Sequence, residues 1–392
     1  MKPELIELSK VAVVTTGLTP TEHLQDSEGA SGLPFVTPSD FSHKDLIRSS
    51  ARVVDDEGIK NVGKRVIPKY STCVTCIGST IGKTGFSMES VLTNQQINSA
   101  TAMPTLIDSR YLYYAILSRS KLLKSIAGGS ASPIINKSTF GELMIPLVDL
   151  ISQKAIADVL GALDDKIAAN QRVMQLSDEL IHAEYRMIEE YVVIPFTELR
   201  ITNGAPFTGA HFNSHGEGLP LIRIRDLRTN APQVWTTEQR TDSTEIQPGD
   251  LLVGLDAEFR PTTWLGAPGL LNQRMMKVSS EFYGSALLRE AIKRPLAEIE
   301  NYKTGTTVIH LNLMDLKQAT VKVPNDSVVA TIRSRIDPVY EAMVAKAQEN
   351  QVLARTRDEL LPLLMNGKLS VSEASEAVEG VVGKQKEGDG DV

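Results

Sequence analysis

The sequence predicts an α+β chain: two globular modules of short strands, each followed by a long helix, with the two helices forming an antiparallel coiled coil. Three observations carry this expectation. A set of short segments recurs: Leu33-Pro34-Phe35-Val36, Ser39-Asp40-Phe41, Thr93-Asn94-Gln95-Gln96 and Ile134-Ile135-Asn136 return roughly 180 residues later. Their counterparts are Leu219-Pro220-Leu221-Ile222, Arg225-Asp226-Leu227, Leu271-Asn272-Gln273-Arg274 and Ile309-His310-Leu311-Asn312. Each pass consists of short apolar runs punctuated by Gly and Pro, and each closes in a long stretch with apolar residues at alternating spacings of three and four.

Taken in order, residues 1–150 read as the first module, with strands at Leu33–Val36, Cys73–Ile77, Ile97–Met103 and Leu143–Val148 and a helix over Tyr111–Ile126. Residues 151–190 read as the first spacer helix, whose seam is Ile156, Leu160, Leu163, Ile167, Met174 and Ile181, with Asn170 as a polar intruder. Residues 191–326 form the second module, with strands at Leu221–Ile224, Leu251–Val253 and Thr320–Val323 and a helix near Ala286–Glu300. Residues 327–368 form the second spacer, with Ile332, Ile336, Val339, Met343, Leu353, Leu360 and Leu364 in its seam and Asn350 at a polar seam position. A single apolar stripe is most often the core face of an ordinary domain, but two at matching places in a duplicated chain are expected to pack on each other. From 369 to 392 the chain is small, acidic and Gly-rich, which reads as a disordered tail.

The net charge of −7 is unevenly distributed: +1 over 1–150, −4 over 151–190, 0 over 191–325 and −4 over 326–392. The acidity lies in the helices and tail, so the overall sign does not exclude DNA as a partner of the modules. No secretory h-region opens the chain and no run approaches membrane-span length, so a cytoplasmic protein without membrane contact is expected. Cys73 and Cys76 form a lone CxxC in an apolar, alternating stretch, which reads as reduced strand cysteines.

Few residues point to chemistry. Gly78-Ser79-Thr80-Ile81-Gly82-Lys83 has one residue too few between its glycines for a phosphate-wrapping loop, which argues against nucleotide binding; a Lys-bearing turn between strands can instead approach a DNA backbone. His211 and His215 lie in a loop where their spacing gives them no common face, so no metal site is expected. No catalytic constellation is visible. The basic candidates for DNA contact are Lys60, Lys64, Arg65, Lys69, Ser79, Thr80 and Lys83 in the first module. In the second they are Arg223, Arg225, Arg228, Arg260 and Arg274, with Arg223 and Arg225 expected on one exposed strand face and Ile222 and Ile224 beneath. The second module shows no counterpart of the GSTIGK turn or of the basic segment before it. A duplicated protein-binding scaffold is the alternative to a DNA reader.

The run IGSTIGKTGF followed by TNQQINSA, Gly129-Ser130 before Ile134-Ile135-Asn136, and the spacer opening QKAIADVLGALDDKI at Gln153 resemble the specificity subunit of type I restriction-modification enzymes. LDAEFRPTTWLG with LLNQR in the second module, and the closing ENQVLARTRDELLPLLMNGKL, are similar to the same family. The resemblance implies two target recognition domains, each reading half of a split double-stranded DNA sequence, and a chain that is not itself an enzyme. It also implies methyltransferase subunits, usually two, and translocating nuclease subunits, with S-adenosylmethionine, ATP and Mg held by those partners. The spacer residues Leu160, Leu163, Ile167, Asn170, Met174, Ile336, Met343, Asn350, Leu353 and Leu360 are the expected partner-binding positions.

Overall fold

The computed structural model describes residues 3–20, 22–42, 44–127, 133–303 and 309–383. Its contacts divide the chain into two units, Met1–Ala168 with Val352–Val392, and Ala169–Gln351. The sequence boundaries separate modules from helices, whereas packing groups each module with a stretch of both long helices.

In the first unit a sheet runs in the order Ala12–Thr16, Ile97–Ala102, Thr72–Thr75, Thr84–Ser87, antiparallel throughout, with Asp45–Ile47 added in parallel at the edge. A second sheet contains Leu24–Asp26, Arg52–Val54, Leu33–Val36 and Leu92–Thr93, the last two parallel. The module closes on itself, because its first strand, Glu4–Glu7, pairs antiparallel with its last, Met144–Leu147. The helix expected over Tyr111–Ile126 is two helices, Ser109–Leu117 and Ser120–Ile126. Asp108 caps the first through the backbone N–H groups of Arg110 and Tyr111, and all of Tyr111 to Leu117 is buried.

The second unit repeats most of this plan, without a counterpart of the edge strand Asp45–Ile47 and with Glu245–Ile246 added to its other sheet. Arg200–Asn203, Met275–Ser279, Leu251–Gly254 and Thr262–Thr263 form an antiparallel sheet in the matching order. Leu219–Ile222 lies parallel to Gly269–Leu271, and Tyr191–Pro195 closes against Thr320–Pro324. The recurring sequence fragments are the fixed points of the plan. Asn136 and Asn312 each cap a short helix, accepting from Thr139 N at 2.9 Å and from Met314 N at 2.9 Å. Gly17 and Gly204 lie where a Cβ would come within 2.1 Å of the Asn94 carbonyl oxygen and 2.0 Å of that of Asn272. Both loops therefore require glycine for the same close approach of backbone to backbone.

The long helices are Leu150–Arg186 and Asp326–Met365. In the first unit Leu160 and Leu163 share a core with Leu353, Leu360, Leu361 and Leu364. In the second, Ile181 shares one with Ile336, Tyr340 and Met343, and Met174 packs against it. The direction is antiparallel: Asn170 Nδ2 donates to Asn350 Oδ1 at 2.9 Å and, further along the first helix, Glu184 meets Arg335, earlier in the second.

The chain beyond 369 departs from the expected disorder. Gly367, at φ +70, ends the second long helix, and Val371–Gly383 is a further helix. Ser370 and Glu373 cap it reciprocally: Ser370 N donates to Glu373 Oε2 at 2.8 Å, and Glu373 N to Ser370 Oγ at 3.3 Å. Ala374 and Val378 are buried in the first unit's core. Acidic composition concealed an amphipathic turn pattern; the tail from 384 onward lies outside the described residues.

Candidate nucleic-acid interface

At one end of the first module, several turns are tied together by backbone hydrogen bonds. The segment 76–83 joins Thr72–Thr75 to Thr84–Ser87, with Gly78 and Gly82 at φ +84 and +81. Buried Ile81 anchors it, leaving Ser79 and Thr80 exposed at the tip. Cys76 N donates to the Gln96 carbonyl at 2.7 Å, Gly78 N to Pro133 at 3.1 Å, and Ile135 N to Cys76 at 2.8 Å. The exposed Gln95 side chain accepts from Thr19 Oγ1 at 2.7 Å. Gly129 and Ser130, part of the motif leading here, lie outside the described residues.

The second module, expected to lack this turn, has it in other residues. Leu255 N donates to the Arg274 carbonyl at 2.9 Å, and Leu311 N to Leu255 at 2.8 Å, reproducing the first module's ties. Ala257, at φ +68, stands where Gly78 does, and buried Phe259 takes the anchoring role of Ile81. Arg260 and Arg274 are exposed there, 3.6 Å from Glu258 and 3.7 Å from Asp256. The Asp256 carboxylate is also hydrogen-bonded to His310 Nδ1 at 2.7 Å. The sequence hid this equivalence because the shared element is a backbone path, while nearly every side chain along it differs.

Arg223 and Arg225 do not share a strand face. The strand ends at Ile222, and Ile224–Asp226 is a 3-10 turn. Its cause is Asp226, wholly buried, whose Oδ2 accepts from Arg223 N at 3.0 Å, as Asp40 Oδ2 accepts from Thr37 N at 2.8 Å in the first module. Burial pushes the Asp226 carboxyl above its ordinary range, opposed by the neighbouring Arg223. Arg223 is thereby drawn to Asp226, 3.6 Å away, whereas Arg225 and Arg228 stand exposed.

Lys83 is likewise held inward: its ammonium donates to the Pro38 carbonyl and lies over the Phe41 ring, 5.1 Å from the centroid. Burial lowers its pKa, with Asp45 and Asp40 opposing. This lysine fastens the turn to the Pro38–Phe41 segment. Lys60 lies on the short helix Asp56–Val62 and Lys64 and Arg65 on the 3-10 turn that follows, all exposed. Arg65 Nη1 donates to the Thr16 carbonyl at 3.0 Å. Lys69 stands apart, because it precedes Thr72–Thr75 while the Ser79-Thr80 turn follows that strand, placing them at opposite strand ends. Its ammonium sits over Tyr70, 5.1 Å from the ring centroid.

The spacer residues expected to bind partners face inward instead. Leu160, Leu163, Asn170, Ile336, Met343, Leu353 and Leu360 are buried, and Ile167, Met174 and Asn350 are partly so, in packing within this chain. The stripe left open on the first long helix is Val173, Leu176 and Leu180, continued by Met187 just past its end; these side chains are 43%, 46%, 46% and 80% exposed. Cys73 and Cys76 are buried free thiols, and desolvation pushes both up to about 11. No group of His, Cys, Asp and Glu able to hold a metal ion occurs among the described residues. Among them, too, no helix is long and apolar enough to cross a membrane.

The family described as the type I restriction modification DNA specificity domain matches residues 3–176. The chain is similar to the type I restriction enzyme MjaIX specificity subunit of Methanocaldococcus jannaschii, with 24% identity covering 94% of this chain and 93% of that one. It is 30% identical to the EcoBI specificity subunit of Escherichia coli over 43% of this chain and 37% of that one. In fold it is similar to the type I restriction-modification S subunit from M. genitalium, with a TM-score of 0.59 and 14% identity, covering 93% of this chain and 99% of that one. Two modules on one strand plan, two long helices packed antiparallel, and these likenesses lead to one conclusion: residues 3–176 carry a type I restriction modification DNA specificity domain, and the chain along nearly its whole length is similar to type I specificity subunits.

Proposed function

We propose that each module reads one half of a split duplex sequence with the tied turns at its end, and that the chain serves a type I restriction-modification assembly without catalysing a step itself. One observation carries this reading: the backbone plan of the turns is common to both modules, while the side chains it presents differ. Gln96 corresponds to Arg274, Ile77 to Asp256 and Ile134 to His310. A shared backbone scaffold whose side chains differ between the two modules suits two different base sequences. No observation favours a scaffold that ignores DNA. Duplex binding by the assembled complex is the test. Alanine at Arg225, Arg228, Arg260 or Arg274 is expected to weaken binding at the second half-site, by about 1–3 kcal/mol where the side chain reads a base. A phosphate contact would cost affinity across all sequences and reduce the salt slope by about one. Four variants with unchanged affinity, site preference and salt slope would remove these turns from the interface.

The methyltransferase partner, expected in two copies, docks in this reading through a helix laid along Val173, Leu176, Leu180 and Met187. Spacings of three, four and seven are those of a coiled-coil face, and the buried seam of the same helix already occupies the adjacent register. Leu176→Asp with Leu180→Asp is expected to leave the isolated chain within about 0.5 kcal/mol of its stability, since both sites are exposed, and to abolish co-purification with the methyltransferase. Undiminished co-purification would place the partner elsewhere. The nuclease subunits, S-adenosylmethionine, ATP and Mg belong to the partners in this proposal; the turn that most resembles a phosphate loop has its lysine turned onto Pro38.

A further inference from the structure

The two long helices are repeats of each other, and Asn170 and Asn350, which face one another, are 180 residues apart in the sequence. An amide pair is satisfied by a copy of itself. This contact would therefore form equally well if the first helix met a second copy of the first helix.

Six residues before Asn170 and seven after Asn350, the first unit holds a contact of a different kind. Asp164 Oδ1 and Arg357 Nη1 are 2.6 Å apart, with side chains only 3% and 7% exposed. Asp164 Oδ2 also accepts from the Tyr114 hydroxyl at 2.6 Å, so the carboxylate is engaged on both oxygens. Neither charge is satisfied by its own copy. Two first helices paired antiparallel about Asn170 would set each Asp164 opposite Ser177, with Asp178 next along the chain. Two second helices paired about Asn350 would set each Arg357 opposite Val344, beside Met343. The first arrangement buries two carboxylates without counter-charges; in the second each Arg357 keeps only Asp358 of its own helix, 3.0 Å from Nε and 40% exposed, and loses its buried carboxylate, so both cost more than losing an exposed pair.

We infer that the Asp164–Arg357 contact selects the partner of each helix, admitting the other repeat and refusing a second copy of the same repeat. The asparagines set where the helices cross and leave the choice of partner open; the ion pair makes that choice. Pairing two unlike modules is thereby built into the seam, independently of what the modules bind.

A protease site placed in Ile188-Glu189-Glu190, after the first long helix, allows the intact chain to fold before being cut into first-repeat and second-repeat fragments. The cut protein is then unfolded, refolded and examined by native mass spectrometry. Unlike pairs are expected to exceed like pairs by more than about a hundred-fold, the ratio that corresponds to leaving a buried charge unpaired. With Asp164→Leu and Arg357→Leu together, like pairs should rise to a statistical share. With Asp164→Arg and Arg357→Asp together, exclusive unlike pairing should return. Should the leucine variant fail to refold, a mixture decides: a first-repeat fragment carrying Asp164→Arg should choose a second-repeat fragment carrying Arg357→Asp over the unaltered one. Statistical pairing of the unaltered fragments, undiminished selectivity in the leucine variant, indifference in the mixture, or failure of the unaltered fragments to re-pair would each overturn the inference.

Discussion

Alanine at Gly204 is expected to unfold the second module, and alanine at Gly17 the first. The added Cβ would lie 2.0 Å from the Asn272 carbonyl oxygen in one case and 2.1 Å from that of Asn94 in the other. Neither neighbour can yield cheaply. Gly204 N donates to Met275 and Ala205 N to Leu271, while Gly17 N donates to Ile97 and Leu18 N to Thr93, so both backbones are pinned on either side of the contact. Overpacking against a flexible side chain costs about 1–3 kcal/mol; against pinned backbone the loss should exceed about 3 kcal/mol. Hydrogen exchange would locate the damage, with protection lost in Arg200–Asn203 and Met275–Ser279 for Gly204→Ala, and in Ala12–Thr16 and Ile97–Ala102 for Gly17→Ala. Gly209→Ala, with nothing within 4 Å of the new Cβ, serves as the neutral control. A Gly204→Ala protein as stable as the control would show that the loop can shift, and the equivalence of the two glycines would then have no energetic meaning.

Truncation after Leu369 is the second large effect. The lost helix places Ala374 and Val378 in a core that includes Leu361, Leu364 and Met365, so its removal both deletes buried side chains and exposes those that remain. A buried valine contributes about 1.5–3 kcal/mol, and uncovering its neighbours adds to that, giving an expected loss of about 3–5 kcal/mol in the first unit. Denaturant unfolding of the truncated chain measures it. Loss of less than about 1 kcal/mol would mean that the helix merely rests on the surface. Ser370→Ala, which removes only the reciprocal cap, should cost about 1 kcal/mol.

These cases also mark what the sequence could reveal. The duplication and the seam were legible because they are periodic: apolar spacing identifies Leu160, Leu163 and Ile181 wherever the helix is placed, and Asn136 and Asn312 recur because both cap helices. The turn after Ile222 was misread as strand because Ile222-Arg223-Ile224-Arg225 alternates; the decisive residue is Asp226, which closes the turn on Arg223 N, and the matching Asp40 was the available signal. Lys83 carries a charge, but its direction is set by Phe41 and Pro38, far away in sequence. The exposed stripe at Val173, Leu176 and Leu180 was hidden by its neighbour: the helix carries two apolar registers, and only packing reveals which one is covered. The last helix was hidden by composition, although Ser370 and Glu373 already stood at the spacing of a reciprocal cap.

The pairing of each module's first strand with its last has a consequence for inheritance. Glu4–Glu7 lies beside Met144–Leu147, and Tyr191–Pro195 beside Thr320–Pro324, so the chain enters and leaves each module about 5 Å apart, one strand spacing. Whatever is inserted, deleted or exchanged between those strands, the two ends of the module keep the same separation and direction, and the closing strand leads straight into a long helix. A stretch of gene bounded by the closing strands can therefore be replaced whole, by recombination or by design, and the new module can meet the same helices through the same two-stranded doorway.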